Sequence, residues 1–176
     1  MYKNLSLIAL VFILGIINWS IAGKEKQLAE GKIVYLDLTP VDPRSIMQGD
    51  YMALRFRLAN EVYDHLIQAD AKQPWIRNMN ASDGFVVAGL DERNIGTFKR
   101  LNNIQPLANN EVLMRYRVRN GVVNFATNAY FFQEGHAQDY QAARYGQFRV
   151  DDKGELLLAA LYDQNLKKLE HKPVLH

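Results

Sequence analysis

Three neighbouring residues carry the side chains of acid–base chemistry. Glu134, His136 and Asp139 bring two carboxylates and an imidazole within six positions. An imidazole beside carboxylates can move a proton near neutral pH. A metal site would need three or four converging ligands, and this spacing matches no known metal signature. Gly135 points to a tight turn. The plainer alternative pairs Glu134 with an arginine, Arg144 or Arg149. A second candidate is Ser45, four residues before Gly49-Asp50. Signal-peptidase-like serine–lysine hydrolases also carry a Gly-Asp turn downstream of a serine. Such a serine needs a base in reach, and a lysine base must be buried to lose its charge. Lys99 stands beside Arg100 in what reads as a polar loop, and Ser45 lies closer to the Gly-Asp pair than that pattern has it. A turn serine is the simpler reading. All four residues stay candidates, and none is assigned a catalytic role. The chain has no cysteine, which removes thiolate nucleophiles, disulfides, zinc thiolates and iron–sulfur clusters together.

Arginine supplies the other chemical signal. Arg55, Arg57, Arg115, Arg117 and Arg119 all fall on predicted outer strand faces. If their strands share a sheet, they form a basic face suited to anionic headgroups or an acidic partner. The competing reading is a solvated face neutralised by nearby carboxylates. With 21 basic against 19 acidic residues, the net charge of +2 is too small to argue for nucleic acid.

The elements that position these residues are mostly strands. Lys32–Leu38 alternates, with Val34, Leu36 and Leu38 on one face. Tyr51–Leu58 does the same, with Met52, Leu54, Phe56 and Leu58 together. Phe85–Leu90 is an uninterrupted apolar run, the pattern of a strand covered on both faces. Val112–Arg119 turns Val112, Met114, Tyr116 and Val118 inward, and Asn120-Gly121 is a strong hairpin signal before Val122–Phe125. Gln147–Val150 and Glu155–Tyr162 form a second predicted hairpin. Helix is expected over Asn60–Lys72, with Val62, Leu66 and Ile67 as its apolar positions, and as one or two turns within Ala137–Arg144. Gln73–Asp83 reads as loop.

The N-terminus is of another kind. No charged residue occurs from Asn4 to Gly23. The eighteen residues Leu5–Ala22 would span roughly 27 Å as a helix, enough to cross a hydrocarbon core. Trp19 falls where an indole prefers the headgroup region. A cleaved signal peptide also fits Lys3 and the small residues Ser20 and Ala22. The length of the apolar run favours an uncleaved signal anchor. The helix should run on through Lys24–Glu30 and stop at Gly31.

Two blocks carry a family resemblance. The first is Pro43-Arg44-Ser45 leading into Gly49-Asp50-Tyr51-Met52-Ala53-Leu54-Arg55-Phe56. The second is Tyr130-Phe131-Phe132-Gln133-Glu134-Gly135-His136, followed by Ala143-Arg144-Tyr145-Gly146. Together they resemble the GDYXXLXY family of bacterial membrane-anchored proteins. The resemblance implies one N-terminal membrane helix, an extracytoplasmic domain and a multi-spanning membrane protein as partner; it implies no reaction. Its last motif position is Phe56 here rather than tyrosine, so a hydroxyl is dispensable there. The motif residues Pro43, Gly49, Asp50, Tyr51, Leu54, Phe56, Phe131, Phe132, Glu134, Gly135, Arg144 and Tyr145 therefore read as structural.

The expectation is a mainly β, antiparallel domain with minor helices. Residues 1–31 form anchor and stalk, 32–165 the β-rich domain and 166–176 a polar tail. Functionally it is a membrane-anchored accessory protein of the bacterial inner membrane, its domain outside the cytoplasm, with no cofactor, metal or nucleic acid. The alternative is an envelope hydrolase.

Overall fold

The structure, a computed structural model, describes residues 2–39, 47–48, 51–72, 81–101 and 105–170. It is strand-rich and antiparallel, as the alternation predicts. Helix α1 (Tyr2–Glu30) is followed by β1 (Lys32–Asp37), β2 (Met47–Gln48), β3 (Tyr51–Ala53), α2 (Arg57–Lys72), β4 (Ala81–Leu90) and β5 (Gly96–Leu101). The chain continues through β6 (Glu111–Arg119), β7 (Val122–Asn124), β8 (Ala129–Phe131), a 3-10 turn (Ala137–Tyr140), β9 (Tyr145–Val150) and β10 (Leu156–Tyr162).

Among the described residues the strands form three sheets, in the orders β1-β9-β10, β5-β4-β6-β7 and β2-β3-β8. A parallel bridge from Tyr35 to Ile95 joins the first two edge to edge. Asn120 and Gly121 both adopt left-handed φ, 52° and 71°, as the predicted two-residue hairpin requires. Val86, Val87 and Ala88 are wholly buried, so β4 is covered on both faces as its sequence foretold. The inward faces of β1 and β6 are likewise buried at the predicted positions.

Helix α2 packs against β1, β5 and β7. Leu58, Ala59, Val62 and Leu66 form its buried stripe, at spacings that repeat on one helical face. Phe125 and Phe148 are the largest fully buried side chains. Removing each from water stabilises the fold by roughly 1.5–3 kcal/mol.

Four local expectations need correction. The strand expected over Tyr51–Leu58 ends at Ala53, and α2 begins at Arg57. Met52, Leu54, Phe56 and Leu58 are buried all the same, because the first helical turn continues the inward phase. Ile67 is 45% exposed and does not belong to the buried stripe. Ala81, Ser82 and Asp83, read as loop, extend β4 by pairing with Arg119, Val118 and Arg117. Lys99 and Arg100 lie on β5, not in a loop.

Helix α1 leaves its apolar side chains exposed; Phe12 and Trp19 are 69% and 84% accessible. It is long and apolar enough to cross a membrane. Gly31 does follow its last turn, but a left-handed φ is not the reason. A Cβ there would stand 2.5 Å from the Gln27 carbonyl oxygen and 3.1 Å from Cβ of Arg149. The glycine lets the helix end close against β9.

Candidate functional site

The two sequence blocks meet in the smallest sheet. β3 lies between β2 and β8, with Tyr51 opposite Phe131, Met52 opposite Tyr130 and Ala53 opposite Ala129. The pleat decides what each block contributes. Met52 is buried, and Tyr130 and Phe132 pack inward against Tyr140, with ring centroids 5.2 and 5.3 Å from it. Phe131 faces the other way and is 74% exposed. Its ring centroid lies 5.8 Å from that of Tyr51. The aromatic run thus divides as alternation predicts, with one face open. Burial, reinforced by Tyr140, pushes the Tyr130 hydroxyl up to about 12, so it keeps its proton at neutral pH. Leu54 and Phe56 are core. Pro43, Ser45, Gly49 and Asp50 lie outside the described residues.

Of the acid–base trio, two members are joined. His136 Nδ1 lies 3.0 Å from Asp139 Oδ2, and both side chains are mostly covered. The contact spans three residues of a tight turn, in which the Asp139 amide donates to the His136 carbonyl. Glu134 is exposed on the preceding turn, where Gly135 has φ of 83°. Its expected arginines are engaged elsewhere. Arg144 meets Asp37, and Arg149 donates to the Gly31 carbonyl. Among the described residues no three His, Asp or Glu side chains converge as a metal would require.

The arginines do not form one face. Arg55 lies in the segment after β3, Arg57 begins α2, and the other three lie on β6 in a different sheet. Several are neutralised. Arg115 pairs with Glu155 and, at 3.1 Å, with Asp83; Arg119 reaches the other Asp83 oxygen at 2.8 Å. The Arg119 hydrogen bond, then that of Arg115, holds the Asp83 carboxyl below the usual carboxylate range. Arg57 pairs with Asp37 at 2.9 Å and stands 3.8 Å from Glu61.

Two polar centres escaped the sequence reading. Asp37 is buried between Arg57 and Arg144, tying β1 to the start of α2 and the approach to β9. Arg144 Nε stands 3.1 Å from Asp37 Oδ1 but off the hydrogen-bonding direction, so the contact there is one of charge. Its signal was a carboxylate between Leu36 and Leu38, which calls for a partner when the strand is covered. The second is Gln27. Its buried amide donates to the carbonyls of Arg149 and Glu155, at 3.1 and 2.8 Å. Helix α1 is thereby fastened to the hairpin of β9 and β10.

These features define an antiparallel β domain fastened to one N-terminal helix of membrane-crossing length. The sequence model for "GDYXXLXY protein" matches residues 13–161, and the chain belongs to that family. No curated protein and no solved structure matches it.

Proposed function

We propose that the protein is an inner-membrane-anchored interaction module whose β domain works outside the cytoplasm, bound to a multi-spanning membrane protein. The observation that carries this reading is the pairing of exposed Phe131 with half-buried Tyr51, where the two family blocks become adjacent strands. Aromatic side chains on a sheet face open to solvent are suited to docking. Fastening α1 to β9 and β10 would hold that face at a fixed height above a bilayer. The test is a photo-reactive residue at Phe131 in intact cells, with products read by mass spectrometry. One discrete multi-spanning protein is the expected product. Crosslinks to lipid alone, or none, would overturn the reading.

The His136–Asp139 contact favours a second reading, an envelope hydrolase, because a carboxylate can orient an imidazole base. That reading requires hydrolytic turnover by the purified chain that His136→Ala abolishes while folding is retained. Turnover unaffected by that substitution rules the dyad out.

A further inference from the structure

A concavity lies beside the stalk, at the base of the domain. Its volume is about 290 Å³, and its lining includes Lys24, Arg115, Arg117 and Thr127 together with Leu156, Leu157 and Leu158 of β10. Among the described residues of its lining Glu155 is the one carboxylate, against three cations, and it is held by Arg115. Asp83 lies opposite Arg117 in the ladder, yet both its oxygens are taken by Arg115 and Arg119. Arg117 is exposed and carries no ion pair among the described residues.

Position gives this charge a meaning. Lys24 is the first charged residue after the apolar run of α1, so it marks the edge of any hydrocarbon core that helix crosses. Gln27, which fixes the domain to the helix, follows three residues later. At 1.5 Å per residue the base of the domain then sits within roughly 10 Å of the headgroup plane. At that height the pocket would lie near the phosphates, with three cations and the residues of β10 in its lining.

We propose that this pocket binds the phosphate of an anionic phospholipid in the leaflet facing the domain. Arg117 contacts the phosphate, joined by Lys24, whose Nζ also donates to Gln27 Oε1 at 3.1 Å, and Leu157 meets the glycerol and the upper acyl chain. The proposal rests on the anchored reading of α1. The chemistry recognised is a phosphate ester, and the committed source is lipid rather than a soluble metabolite.

Native mass spectrometry of the full chain tests this, in micelles doped equally with phosphatidylglycerol and phosphatidylcholine. Wild type should retain the anionic lipid over the zwitterionic one by about tenfold or more, and Arg117→Gln should cut that ratio about fivefold. Lys24→Gln should act alike, whereas Arg55→Gln, outside the pocket, should leave the ratio unchanged. No preference in wild type, or an equal loss in all three variants, would overturn the pocket. Displacement of the lipid by millimolar glycerol 3-phosphate would overturn the lipid source. Carbonate extraction of cell membranes separates the two readings. Protein retained in the membrane without a lipid preference sinks the pocket alone; protein released sinks the anchor as well.

Discussion

The ring of Phe56 lies against Gly146 so closely that a Cβ on that glycine would stand 2.9 Å from its Cε1 and 3.3 Å from its Cζ. Phe56 closes the first family block and Gly146 belongs to the second. The ring is 3% exposed and meets Phe148 edge-on at 5.2 Å. Leu158 Cδ1 would be 3.3 Å from the same Cβ. The ring has little room to retreat. Gly146→Ala should therefore destabilise the domain by about 1–3 kcal/mol through overpacking. Phe56→Ala, which leaves a cavity instead, should cost about 3–5 kcal/mol. Thermal melting of the full chain in detergent measures both, and an unchanged midpoint for Gly146→Ala would contradict the close approach.

Phe131 should behave in the opposite way. Its ring is mostly in water and contacts Tyr51 across a strand pair. Such a pair contributes roughly 0.2–1 kcal/mol, so Phe131→Ser should barely move the melting temperature. On the proposed docking reading, recovery of a crosslinked or co-purified membrane protein should nevertheless fall severalfold. A large loss of stability with full partner recovery would make Phe131 a folding residue instead.

How much of this was legible in the sequence depended on range. Alternation placed Val34, Leu36, Met114 and Tyr116 correctly because period-2 burial is a local property. It also gave Met52, Leu54 and Phe56 the right phase while missing that Arg57 starts a helix. Burial continued across that boundary, so the pattern carried no mark of it. The pairing of Asp83 with Arg115 and Arg119 was hidden by the Ser82-Asp83-Gly84 run, whose turn-like composition concealed a strand. Only the facing arginines of β6 account for an aspartate there. Gln27 was invisible for a different reason: its partners are carbonyls 122 and 128 residues away. The arginine face failed because same-face periodicity says nothing about which strands share a sheet.

Gln27 makes a prediction that separates fastening from folding. Gln27→Leu removes two donated hydrogen bonds and leaves the Arg149 and Glu155 carbonyls without them, a loss of about 1–3 kcal/mol. It should act mainly on the junction, since α1 reaches the domain through β9 and β10. Limited proteolysis of the full chain should then cut near Gly31 faster than in wild type, while far-ultraviolet dichroism stays unchanged. Equal cleavage rates would mean that Gln27 does not hold the helix to the domain.

Acid should weaken the fold through two surface pairs, and the sign can be worked out. Asp83 is held low by its hydrogen bond to Arg119 and then by Arg115; Glu111 is held low by Arg100 and then by the Ala108 amide. A carboxyl whose folded pKa lies below its unfolded value binds its proton more readily in the unfolded chain. The stability from each pair is therefore fully present above the unfolded values, about 3.9 for Asp and 4.3 for Glu, and drains away as pH falls through the folded ones. The wild-type melting temperature should hold between pH 7 and about 5 and decline below about 4. Asp83→Asn has no carboxylate to titrate there. Its melting temperature should be lower at neutral pH and fall less steeply in acid, so that the two curves draw together as pH falls through the folded value of Asp83. Parallel curves would show that Asp83 contributes no proton-linked stability and that its two arginines are held by other contacts.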